Sequence, residues 1–184
     1  YYTDYATVLS QYSEKVSSFR EGFTQSDESV VLVGNGPSPQ GKFMGRTVDT
    51  FSTVVRFNTF TLNGDLGERL DHYYVATTGI SEEITNKVIE LSPKQIYYHQ
   101  WGELDPVQIK EAFKGIPFEW KPEEPEEYRK SILPLINFKD IPHASYRSKD
   151  TYATSTGLLA IFKYLRTHKK VHIFGFDWWE TVDM

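Results

Sequence analysis

Residues 29–36 read SVVLVGNG, a run of branched apolar side chains that stops abruptly at Gly34, Asn35 and Gly36. So short and unbroken a run fits a strand buried on both faces, which belongs in a parallel sheet covered by helices. Four later segments repeat the signal: TVVRFN (53–58), HYYVAT (72–77), QIYYH (95–99) and VHIFGF (171–176). Helical patterns fall between several of them. SEEITNKVIELS (81–92) opens on Ser81 as a helix cap and carries Glu82 and Glu83 in the first turn, where carboxylates favour the positive end of the helix dipole. TSTGLLAIFKYLRTHKK (154–170) predicts a second capped helix with Leu158, Leu159, Phe162 and Leu165 inward and a basic end at Lys169 and Lys170. Tyr5, Val8, Leu9, Tyr12, Val16 and Phe19 recur at helical steps, so residues 3–23 are expected to form an amphipathic helix packed across the sheet. This alternation predicts an α/β fold: a Rossmann-like, doubly wound, mostly parallel sheet with helices on both faces. Ligands of such sheets sit beyond the C-terminal strand ends, where Gly34, Asn35, Gly36, Asn58, Gly175 and Asp177 are expected.

Composition narrows the chemistry. The 184 residues contain no internal repeat and suit one domain. The stretch KPEEPEEYRK (121–130) reads as a solvated loop leading into a helix. A net charge of −5 argues against a nucleic-acid partner, which calls for clustered cations. The absence of cysteine excludes thiolate metal sites, disulfides and thiol nucleophiles. No apolar run approaches the roughly 20 residues that cross a bilayer, and the N-terminal residues lack a signal-like basic and apolar pattern. No membrane-spanning segment is therefore expected, and the compartment is left open.

Two familiar phosphate loops fit poorly at residues 34–42. GPSPQGK, from Gly36, has P-loop spacing up to Lys42, but Phe43 follows where a hydroxyl is needed, and Pro37 and Pro39 remove amide donors. The dinucleotide fingerprint keeps Gly34 and Gly36 but meets Pro39 at its third glycine. What survives is a Gly-Asn-Gly turn offering amide hydrogens and a carboxamide, a seat for an anion or a nucleotide sugar. Alternatively, Gly34 and Gly36 only permit a tight turn.

Read together, VVLVGNGPSPQGKFMGRTVDTFSTVVRFNTF (30–60) resembles the long sialyl motif of the eukaryotic-type sialyltransferases, glycosyltransferase family 29. Its ordered parts are Gly34-Asn35, then Gly45-Arg46 and Asp49, then a strand ending in Arg56-Phe57-Asn58. Farther on, TSTGLLAIFKYLRTHKKVHIFGF (154–176) is similar to the family's short sialyl motif, opening on Ser155-Thr156-Gly157. The resemblance implies a single glycosyltransferase domain across 1–184, a GT-A-like variant of the Rossmann-like fold. It implies transfer of sialic acid or a related ulosonic acid from a CMP-activated donor to a glycan or glycolipid acceptor, with inversion, without a metal, and with no cofactor because the CMP-sugar is a substrate. By position it implies donor binding by Gly34, Asn35, Gly36, Asn58, Ser155, Thr156 and Gly157. Amides, carboxamides and hydroxyls suit a phosphate, although Ser155 and Thr156 would equally cap their helix and Arg56 would equally pair with Asp49 or Asp65.

Two departures accompany the resemblance. The disulfide that joins the two motifs in animal members would fall at Val30 and His168, neither a cysteine. The family's general base is a histidine in a motif beyond the short one, and this chain is expected to lack it, which keeps a catalytically inactive CMP-sugar or glycan-binding module as the alternative. The catalytic base is thus unassigned. His72, His99, His143, His168, His172, Asp177 and Glu180 are the groups at hand. Trp101, Trp178 and Trp179 are candidate acceptor or sugar contacts, since saccharide rings pack their apolar faces on aromatic side chains. Glu103-Leu104-Asp105 weakly mimics a metal-binding acidic pair and reads better as a loop.

Overall fold

The structure, a computed structural model, describes residues 17, 19–99, 104–124, 127, 130 and 155–176. Its frame is a six-stranded sheet formed by β1 (Val30–Val33), β2 (Thr53–Phe57), β3 (His72–Ala76), β4 (Gln95–His99), β5 (Phe118–Trp120) and β6 (Val171–Phe174). The order is β5-β4-β3-β2-β1-β6, and every pairing is parallel. Strands β1 to β5 step in one direction, and the chain then jumps to the far side of β1. Right-handed crossovers put the first connections on one face of such a sheet and the last on the other.

The packing follows that rule. On the first face, Tyr73, Val75, Ile96 and Tyr98 meet Ile84 and Val88 of α2 (Glu82–Leu91) and Ile109 of α3 (Pro106–Ala112). Val31, Val33 and Val54 continue this layer under Val48 of α1 (Gly45–Val48). On the second face, Val30, Leu32, Val55, Phe57 and Tyr74 meet Ala160 and Tyr164 of α4 (Thr156–Thr167). Alternate residues of one strand feed opposite layers, which is why these strands are largely apolar.

Four of the five expected strands agree with β1 to β4 to within one residue, and the fifth, β6, ends at Phe174, before the Gly175 turn. Ser81 caps α2, accepting from the Ile84 amide at 3.3 Å. Three short elements carry no periodic signal: α1, β5 and α3. The inward face of α4 also differs from expectation. Thr156, Leu159, Ala160 and Tyr164 are buried, whereas Leu158, Phe162 and Leu165 are half-buried. Small residues let the helix lie close to the sheet, and Phe162 turns outward to Phe19, with ring centroids 5.6 Å apart. Of the helix expected over 3–23, only residues 17 and 19–23 are described, and they pack on α4 rather than on the sheet, with Arg20 donating to the Leu165 carbonyl at 2.8 Å. The 121–130 stretch is not simply solvated: Glu124 pairs with Lys163 at 3.4 Å, and Glu127 pairs with Arg166.

Candidate functional site

The switch in strand order lies between β1 and β6, and the turns that leave these strands are stitched together. The Gly34 amide donates to the Phe174 carbonyl at 2.7 Å, and the Gly36 amide donates to the Gly175 carbonyl at 2.9 Å. A Cβ on Gly34 would sit 2.4 Å from the Gly175 oxygen, so only glycine lets the two backbones approach this closely. Phe176 then folds over the start of α4, where a Cβ on Gly157 would lie 2.8 Å from its ring. The same ring packs edge-on against Phe57, with centroids 5.7 Å apart. Asn35 completes the circuit by donating from Nδ2 to the Phe57 carbonyl at 3.0 Å.

The two sequence motifs therefore converge at the C-terminal end of the sheet. Asn35 is exposed there with its carboxamide hydrogen already anchored on β2. Asn58, immediately after β2, has φ 46, and its Oδ1 accepts the Ala76 amide at 2.7 Å, joining the ends of β2 and β3. No described residue accepts from its Nδ2. Ser155 caps α4 by accepting the Leu158 amide at 3.3 Å. Thr156 is buried, with its hydroxyl 3.1 Å from Nδ1 of His99 at the end of β4. Trp101, Trp178, Trp179, His143, Asp177, Glu180 and Glu103 lie outside the described residues.

Beside the start of α4 opens a cavity of about 210 Å³, lined by Tyr97, His99, Glu119, Trp120, Lys121 and Leu159. Trp120 is 40% exposed. It escaped sequence reasoning because β5 itself did; Phe118-Glu119-Trp120 sits between Pro117 and Pro122, and bracketing prolines are the one signal that marked a short strand. Lys163 braces two of the lining residues, pairing with Glu119 while lying 4.1 Å above the Tyr97 ring. Carboxyl Glu119 is pushed up by burial, but the hydrogen bond and charge of Lys163, with help from Lys121, bring it below its ordinary range. The cavity thus combines flat aromatic surface with both signs of charge.

The charged residues near the long motif serve the fold instead. Arg56 is fully buried and donates to the carbonyls of Arg69 (2.8 Å), Leu66 (2.8 Å) and Thr61 (3.4 Å). Burial pulls its guanidinium down to about 10, partly offset by the charge of Asp49. It makes these carbonyl bonds rather than a direct pair with Asp49 or Asp65. Asp49 accepts the Glu68 and Arg69 amides, and Asp65 accepts those of Gly41 and Phe43. A phosphate wrapped by the Gly41–Phe43 backbone would have to displace Asp65. Asp105 accepts the Val107 amide at 2.9 Å and starts α3, so it acts as a helix cap.

Histidines divide between the two ends of the sheet. His72 begins β3 and bonds Tyr164 through Nδ1. His168 ends α4 and His172 enters β6, so all three lie toward the N-terminal strand ends, away from the crevice. His99 alone among the described histidines is at the crevice end, and burial holds it near 4, in the neutral form. Its Nδ1 bond to Thr156 makes it a positioning residue for the start of α4.

A six-stranded parallel sheet with a crevice at its switch point is a doubly wound α/β frame, whose ligand crevice lies beyond the strand ends. The sequence profile of glycosyltransferase family 29 (sialyltransferase) matches residues 2–183, and the chain belongs to that family. Similar solved structures include a mammalian sialyltransferase in complex with Gal-beta-1-3GalNAc-ortho-nitrophenol, at 16% identity and TM-score 0.55 over 91% of this chain and 65% of that one. Another is a mammalian sialyltransferase at 15% identity and TM-score 0.53, over 91% of this chain and 64% of that one. At these identities the likeness is one of fold, and the chain spans just under two thirds of their length. No curated protein sequence matches significantly.

Proposed function

We propose that this chain is the donor-binding frame of a sialyltransferase-like glycosyltransferase, a GT-A-like variant that moves sialic acid or a related ulosonic acid from a CMP-sugar to a glycan or glycolipid acceptor. The observation that carries this reading is the stitching of the β1 and β6 turns beside the start of α4, which brings Gly34, Asn35, Gly36 and Gly157 into one neighbourhood. Departure of CMP puts positive charge on the sugar and negative charge on the phosphate, so fixed donors aimed at the phosphate lower the barrier. Asn35, Asn58, Ser155 and Thr156, with nearby backbone amides, supply such donors, and neither a metal nor a cofactor is needed. Thr156 contributes through the buried backbone turn that His99 fixes, and Ser155 through the same cap that starts α4. Attack from the opposite face then inverts the anomeric carbon, and the 210 Å³ cavity at Trp120 suits a saccharide ring next to the phosphate.

Ligand protection tests the donor reading. CMP at millimolar concentration is expected to raise the melting temperature, whereas ATP and NAD are not, because only a ligand of the native state shifts unfolding. No response to CMP overturns the reading. A second reading, a catalytically inactive CMP-sugar or glycan-binding module, draws on the described histidines, since the one among them at the crevice end is buried on Thr156. CMP protection without turnover of the CMP-sugar is its signature.

A further inference from the structure

Between the first turn of α1 and the β2–β3 connection lies a groove of about 570 Å³, lined in part by Phe43, Arg46, Asn63, Gly64 and Glu68. Phe43 is its most unusual wall. At 79% it is the most exposed large hydrophobic among the described residues, and its φ of 51 is a backbone conformation that an aromatic residue rarely adopts. That conformation is imposed. Both carboxylate oxygens of Asp65 are engaged by the loop, Oδ1 by the Phe43 amide at 2.8 Å and Oδ2 by the Gly41 amide at 2.9 Å. Asp65 is itself set by Asn63, whose Oδ1 accepts the Asp65 amide at 2.9 Å and the Leu66 amide at 2.9 Å. The hydrogen bonds hold an apolar ring out in water, where burial does nothing to stabilise it.

Not all of the polar groups around the ring are spent on the fold. Among the described residues, none pairs with the side chains of Arg46 or Glu68, and none accepts from Asn63 Nδ2. An aromatic face beside a cation, a carboxylate and an amide donor, in a groove wide enough for two sugar rings, has the chemistry that binds pyranosides: apolar C–H faces stack on the ring while hydroxyls meet the polar groups. The geometry points to a neutral-saccharide subsite at Phe43, Arg46, Asn63 and Glu68, which holds a distal part of the glycan acceptor outside the donor crevice. Acceptor purpose rests on the glycosyltransferase reading; saccharide binding itself does not. An anionic membrane is the other surface an exposed Phe43-Met44 pair would suit, but Glu68, Asp49 and Asp65 around the groove oppose it.

Saturation-transfer NMR with lactose, cellobiose and maltose on the full chain decides the matter. At least one disaccharide is expected to receive saturation, at least fivefold less with Phe43→Ala and Glu68→Ala and undiminished with Phe43→Tyr. Absence of transfer to all three sugars, or equal transfer with Phe43→Ala, overturns the proposal. So does Phe43-dependent sedimentation with phosphatidylserine vesicles when the sugars give no transfer, an outcome that assigns the loop to membranes. Melting curves confirm that the exposed substitutions fold, and CMP protection measured on the wild-type sample reports the donor reading separately, so either reading can fail while the other stands.

Discussion

The crevice at the β1 and β6 ends and the β2–β3 connection beside it are built from opposite materials. Around the connection, Arg56, Asp49, Asp65 and Arg69 all spend their charge on backbone groups, and Asp71 adds ion pairs to Arg69 at 2.7 Å and Lys94 at 3.1 Å. Burial would raise the Asp71 carboxyl, but the Val54 amide, Lys94 and Arg69 together bring it below its ordinary range. At the crevice, glycine-to-glycine backbone contacts close the structure, and the side chains that face it are carboxamides and hydroxyls. Arg56, Asp49, Asp65, Arg69 and Asp71 hold the chain, whereas neutral donors face the β1 and β6 turns. A buried cation committed to three carbonyls cannot also serve as a counter-ion for a phosphate.

Breaking the connection has the largest expected effect. Arg56→Met leaves three carbonyls without their donor and is expected to cost about 3–5 kcal/mol, read from urea unfolding. A cost below about 1 kcal/mol would mean that the guanidinium is free for a ligand. The next effect separates two glycines. Gly34→Ala forces the stitched turns apart, with an expected cost of about 2–3 kcal/mol and loss of CMP protection. Gly41→Ala, at φ 73 with open space around its Cβ position, is expected to cost about 1 kcal/mol and to keep CMP protection. Equal CMP responses in the two variants would detach the crevice from binding.

A pH dependence links both ends of the sheet. Burial lowers His72 and His99 from 6.5 to about 4, so the unfolded chain takes up their protons first. Their contribution is intact above pH 6.5 and is lost as pH falls toward 4, by about 1.4 kcal/mol per pH step per fully neutral histidine. His99→Gln is expected to remove about half of that slope in melts between pH 6.5 and 4.5. An unchanged slope would show that His99 titrates freely and is not locked to Thr156.

Much of the frame was legible in the sequence because β1, β2 and nearly all of β3 are buried on both faces, so branched and aromatic runs mark them directly. Three-residue β5 and four-residue α1 are too short to show a period. The start of α3 did carry a signal, Asp105 before Pro106, a cap followed by a first-turn proline, which the acidic pair reading obscured. At the site, Gly34, Asn35, Asn58 and Ser155 stood out as strand-end and helix-start residues. The role of His99 was not legible, because Thr156 lies 57 residues away and only the closing of α4 over the sheet joins them. Nor was that of Arg56, whose three acceptors are backbone carbonyls that any sequence would supply.

Amide chemical shifts during a CMP titration test the central claim, that neutral groups at the β1 and β6 turns hold the nucleotide. The account predicts that amides at positions 34–36, 155–157 and 175–176 shift together and saturate at one concentration, while Gly41, Phe43, Val54 and Asp71 stay fixed. Shifts confined to Gly41 and Phe43, or none in the crevice at saturating CMP, would contradict it.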